Sequence, residues 1–189
     1  LSRGGGPFDR PIRVFAAVSG VTPMAAANPL GLGGEAGVRM RRGTLGGVFA
    51  VGFDRGRRDT PSGRLQGTTG HARLGLALQR HTPRFDLSVG GGVLAMAMWQ
   101  FIQTNDDPRR PEFTNVARQL TGGGYAEVGA HVPLGPSIGF TVGSRVSLYP
   151  VLTDTVQAFY LRAGAQAGLA VRFGGRGRGR LKRNQSSEE

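Results

Sequence analysis

Residues 159–173 read FYLRAGAQAGLAVRF, and taking every second position splits them into two chemically unlike sets. Phe159, Leu161, Ala163, Ala165, Ala167, Leu169, Val171 and Phe173 are all apolar. Tyr160, Arg162, Gly164, Gln166, Gly168, Ala170 and Arg172 are small or polar. Successive side chains of a β-strand point to opposite faces, so this period of two describes a strand with one greasy and one polar side. A helix is excluded by the spacing, and each interior Gly would cost it about 1 kcal/mol relative to Ala. A chain built from such segments must close its sheet and settle which face meets which solvent.

Seven other segments carry the same alternation: 12–20, 35–42, 45–53, 71–80, 84–101, 125–132 and 137–149. The clearest is HARLGLALQR, where Ala72, Leu74, Leu76 and Leu78 oppose Arg73, Gly75, Ala77 and Gln79. Eight strands in 189 residues, with no evident linker, make one all-β domain over 12–173, preceded by a segment 1–11 and followed by a tail 174–189. The connections fall into two classes. Short turns at 43–44, 81–83 and 133–136 follow even-numbered strands. Long polar loops at 21–34, 54–70 and 102–124 follow odd-numbered ones, with a shorter one at 150–157. In an antiparallel meander this puts the short turns at one end and the long loops at the other.

That asymmetry is typical of outer-membrane barrels, and apolar faces of 9–11 residues match a tilted strand crossing hydrocarbon. Phe53, Trp99, Phe101, Tyr149 and Phe159 fall near the loop ends of their strands, and Phe85 and Phe173 near the turn end. Aromatic rings favour the two bilayer interfaces, so these seven are the expected girdles. The opposite reading is a soluble, lipocalin-like ligand-binding barrel with its apolar face inward. Soluble barrels carry more Lys and Glu outside than these Gly- and Ala-rich polar faces do.

Strand number, turn asymmetry and the closing strand ending LAVRF resemble the small eight-stranded outer-membrane barrels of Gram-negative bacteria, the OmpA/OmpX type, over residues 12–173. The resemblance implies an eight-stranded antiparallel up-and-down transmembrane β-barrel in the bacterial outer membrane. The sequence starts at Leu1 without Met or an apolar signal segment, so the expectation is either a removed leader or a fragment. The resemblance also implies that Phe173 is the terminal aromatic recognised by the assembly machinery. It carries no biochemical activity with it.

On the polar faces lie Arg13, Glu35, Arg39, Arg41, Arg73, Asp86, Glu127, Arg145, Arg162 and Arg172. An eight-stranded barrel has room inside for side chains and little else, so these residues are expected to form a lumen charge network that plugs it. The excess of Arg over acids leaves a narrow anion-selective pore as the alternative. No catalytic, cofactor or metal site emerges. His71 and His81 sit at opposite ends of one strand, about 30 Å apart, and cannot share a metal. Tyr125, Glu127 and His131 share a face and suit an interior hydrogen-bond cluster better than acid–base chemistry. GLGGEAG at 31–37 enters a strand, so it is not a nucleotide loop, and Asp106–Asp107 is a thin basis for a cation site.

The formal charge is +12, and Lys182 is the only lysine. Part of the excess lies in GGRGRGRLKR at 174–183, a disordered-type tail that on the starting side of the barrel would meet lipopolysaccharide or a cell-wall polymer. Nucleic acid is disfavoured, because the remaining Arg are scattered through strands and loops. The chain has no Cys, which removes thiol chemistry. The expected partner is the lipid bilayer, and the expected state a monomer without enzymatic activity.

Overall fold

The computed structural model describes residues 12–23, 31–60, 63–82, 84–104, 113–152 and 157–173. They form eight strands: β1 (Ile12–Pro23), β2 (Gly31–Arg42), β3 (Leu45–Thr60), β4 (Gly63–His81), β5 (Asp86–Thr104), β6 (Phe113–Pro133), β7 (Ile138–Leu152) and β8 (Gln157–Phe173). Each pairs antiparallel with its sequence neighbours, and β1 pairs with β8 from Ile12↔Phe173 to Pro23↔Arg162 to close the barrel. Closure leaves no sheet edge for another chain to extend.

The register fixes the geometry of closure. The ladder from Arg118 runs through Trp99, Thr68, Arg55, Leu32, Gly20, Ala165 and Ser144 and returns to β6 at Val128, ten residues further along. A stagger of that size in eight strands tilts them by about 40° from the barrel axis and leaves an interior filled by side chains.

The two faces partition in the sense opposite to a soluble protein. Leu74, Leu76 and Leu78 on β4 are 60–64% exposed, and Phe53, Val89, Val93 and Leu169 also point outward. Arg73 and Arg172 are among the most deeply buried side chains of the protein. Crowding inside demands small residues at points of contact. At Gly75 a Cβ would run into the Tyr125 hydroxyl and the Gly91 carbonyl.

The short turns occur where expected, and Gly43, at the β2–β3 turn, has φ 65°, a left-handed conformation that Gly adopts without penalty. The Thr82–Phe85 turn is tied by backbone and hydroxyl bonds, with Phe85 N–H donating to Thr82 Oγ1 at 3.0 Å. The long loops differ from expectation. Much of 54–70 is strand, since β3 continues to Thr60 and β4 begins at Gly63. Likewise β5 runs to Thr104 and β6 starts at Phe113, so most of 102–124 is a ladder with one irregularity at Gln100/Phe101. These extensions mix polar, Gly and a few apolar residues and lose the alternation that marks a strand, while backbone pairing continues regardless of side chain. Residues 1–11, the Asp106–Asp107 pair and the 174–189 tail lie outside the described residues.

Candidate functional site: the charged barrel interior

Inward side chains from alternate strands meet at one level, and the centre of the lumen is built this way from β2, β4 and β6, with β7 adding Arg145. Glu35 receives two bonds from Arg73, Nε at 3.0 Å and Nη2 at 2.6 Å, one to each carboxylate oxygen. Arg145 Nη1 pairs with the same carboxylate, and His71 Nε2 lies 3.1 Å from it. The third arm of Arg73, Nη1, donates to Glu127 at 2.6 Å. Glu127 also accepts from Arg39 Nη2 at 3.1 Å, and Arg39 Nη1 reaches Ser88 Oγ at 3.1 Å. Two rings complete the packing: the Arg73 guanidinium sits 5.2 Å from the centroid of Tyr125, and that of Arg39 5.5 Å from Phe15. Buried charge is tolerated only when paired and hydrogen-bonded, and each central carboxylate here holds at least two cationic or imidazole partners.

Satellite groups flank this centre. Toward the turns, Arg13 and His81 both pair with Asp86, and Arg172 Nε donates to His131 Nε2 at 3.0 Å. Toward the loops, Arg162 pairs with Asp54, whose Oδ2 lies 4.0 Å from His71 Nδ1, and Tyr149 stacks on Tyr160 at 6.3 Å. Two cavities between these groups measure about 50 and 20 Å³. A single water needs about 10–15 Å³, so each of these two spaces has room for only a few waters.

Of the ten charged residues expected inside, nine are drawn into these clusters. Arg41, on the same face of β2 as Arg39, lies next to the β2–β3 turn, where its Nε donates to the Gly43 carbonyl at 2.8 Å. Tyr149 is the correction. It is 4% exposed and points into the lumen, because its odd number shares the inward face of β7 with Arg145 and Ser147. Phe53, Phe85, Trp99, Phe159 and Phe173 point outward, and the side chain of Phe101 lies outside the described residues. The Tyr125, Glu127 and His131 side chains turn to different partners, Arg73 for the first two and Arg172 for the third. Among the described residues no group of three acidic or imidazole side chains is placed to hold a metal ion.

Asp54, His71 and His81 also belong to the clusters, beyond the ten residues that alternation picks out. Alternation carried two residues further along β3 would have placed Asp54 inside. The two histidines share the inward parity of Arg73, but no local signal names their carboxylate partners.

No protein-family model matches this chain, and no curated protein is similar to it in sequence. Solved structures are similar in fold. Neisserial surface protein A superposes with a TM-score of 0.55 at 15% identity, over 86% of this chain and 96% of that one. A major outer membrane protein from Thermus thermophilus gives 0.56 at 15% identity, over 85% and 99%. Closed eight-stranded topology, inward charge, outward apolar side chains and these superpositions together give the chain the fold of the small eight-stranded outer-membrane β-barrels.

Proposed function

We propose that this protein is an integral outer-membrane barrel whose charged interior is a structural plug, and whose role is to stabilise the envelope or present surfaces at its loop end. The observation that carries this reading is the inverted partition. A continuous outward belt containing Leu74, Leu76, Leu78, Val89, Val93 and Leu169 has no aqueous rationale, and all four carboxylates with described side chains lie inside. Contiguous apolar surface of this extent belongs against lipid, and a soluble lipocalin-like arrangement would need the faces reversed. Closure of every strand pair supports a monomer. The tall β3–β4 and β5–β6 hairpins supply the exposed contact surfaces. Commitment of the lumen carboxylates to ion pairs, and of the imidazoles to those carboxylates or to Arg172, supports a non-catalytic interior.

The test is folding into detergent micelles followed by gel electrophoresis with and without boiling. A closed membrane barrel migrates differently when unheated; a chain that stays folded in plain buffer and shows no such shift refutes the proposal. A narrow anion pore is the second reading, favoured by six interior Arg facing four carboxylates among the described residues. Anion-selective unitary steps in planar bilayers would establish it, and their absence leaves the plug.

A further inference from the structure

The inward faces of β7 and β8 set Arg145 opposite Gly164 and Ser147 opposite Arg162. Gly164 carries no side chain to fill the barrel beside Arg145, and a cavity of about 20 Å³ lies there. Its polar lining comes from Arg145, Arg162, His71 and Ser147, and its apolar wall includes Leu94 and Met96. The carboxylates that pair with the two guanidiniums, Glu35 and Asp54, are not part of this lining.

A guanidinium is a fork of several N–H donors, and neither of these two commits all of them to a carboxylate. Arg145 commits Nη1 to Glu35, an acid it shares with Arg73 and His71. Arg162 commits Nη2 to Asp54, while its Nη1 meets the Met96 thioether at 3.7 Å, a weak acceptor. From the centre of the lumen to its loop end, the guanidiniums of Arg39, Arg73, Arg145 and Arg162 are held by three carboxylates, Glu35, Asp54 and Glu127. One positive charge is therefore unmatched within this group, and buried charge is costly until it is paired.

Size narrows the class of anion. A particle of water size needs about 10–15 Å³, so the cavity admits a monatomic ion and excludes a tetrahedral oxyanion such as phosphate. The approach is from the loop end, where the cavity of about 50 Å³ shares Val21 and Arg162 with the smaller one.

Resting on the reading of the interior as a plug, we propose that the cavity between Arg145 and Arg162 binds a single halide ion of chloride size. The ion accepts N–H bonds from both guanidiniums, and its charge balances the one left over among the central and loop-end groups. It stays in the plug as a bound ligand and is not in transit through the barrel.

The full chain is folded into zwitterionic detergent micelles, and folding is scored by heat-modifiable gel migration. It is then unfolded by urea in sodium chloride exchanged against sodium gluconate at constant ionic strength, since gluconate is too large for the cavity. A ligand held at one site of the folded state raises the folding equilibrium constant in proportion to its concentration above Kd. About a ten-fold rise is therefore expected for each ten-fold increase in chloride, and bromide should act alike. Arg145→Gln removes one guanidinium and leaves Glu35 with Arg73 and His71. Gly164→Ala puts a methyl 3.5 Å from Val21 at the cavity wall. Each is expected to cut the chloride effect below about two-fold. Arg13→Gln, at the turn end, leaves it intact. Chloride NMR line width on the unmodified barrel reads occupancy without any variant: broadening relieved by bromide and not by gluconate is expected. Folding indifferent to chloride, an undiminished effect in Arg145→Gln and Gly164→Ala, its loss in Arg13→Gln, or absence of broadening overturns the site. Unitary anion-selective steps in planar bilayers overturn the plug, and with it a resident halide. A barrel without such steps whose folding ignores chloride overturns the site and leaves the plug standing.

Discussion

Replacing Arg73 by Met tests whether the interior excludes water. Met preserves much of the apolar stem and removes three hydrogen bonds, two to Glu35 and one to Glu127, from a side chain with no solvent exposure. Breaking a buried pair by deleting one partner costs about 3–5 kcal/mol, because the remaining charge is left in a poor solvent. Two carboxylates are affected, yet neither is stranded: Glu35 keeps Arg145 and His71, and Glu127 keeps Arg39. The expected loss is therefore about 3 kcal/mol, the lower end of that range. Urea titration of the barrel in micelles, followed by Trp99 emission, measures it. Adding Glu127→Gln singly and in combination closes a double-mutant cycle, and a coupling of about 1–3 kcal/mol is expected for groups in direct contact. A loss below about 1 kcal/mol, with no coupling, is the behaviour of an exposed surface pair. That result refutes the plug, since it means water reaches Arg73 freely.

Gly75→Ala forces a methyl against the Tyr125 hydroxyl and the Gly91 carbonyl, and a loss of about 1–3 kcal/mol in the same titration is expected from overpacking. Its control is Gly47→Ala, which meets nothing within 4 Å and should leave the urea midpoint nearly unmoved. Leu74, 60% exposed and in the middle of the outward belt, separates lipid from water: Leu74→Arg costs about 2–4 kcal/mol in a bilayer-embedded barrel. A neutral or stabilising outcome for that variant contradicts the membrane reading. Gly43→Ala, at φ 65°, is expected to lose about 1–2 kcal/mol, visible as a lowered urea midpoint, because a Cβ is disfavoured in left-handed backbone.

Alternation was readable along the chain because it is a local property: Leu74 and Arg73 differ in face only by being adjacent on a strand. The same rule puts Tyr149 beside Arg145 on the inner face, although its place near a strand end is that of a girdle residue. The hairpin extensions above Phe53 and Trp99 were not readable, because β3 beyond Asp54 and β6 before Tyr125 carry no regular alternation of polar and apolar residues. Their pairing comes from the backbone, which every residue shares.

By itself the amino-acid order determined that eight amphipathic strands run antiparallel, which side chains fall on each face, and where the tight turns lie. Only the tertiary structure decided the register of each ladder and how β1 meets β8, which together bring Glu35 to Arg73 and Arg145 inside the barrel. The reason is physical: alternation has a range of two residues, whereas Glu35 and Arg145 are 110 residues apart, and their meeting depends on the register of every ladder between them.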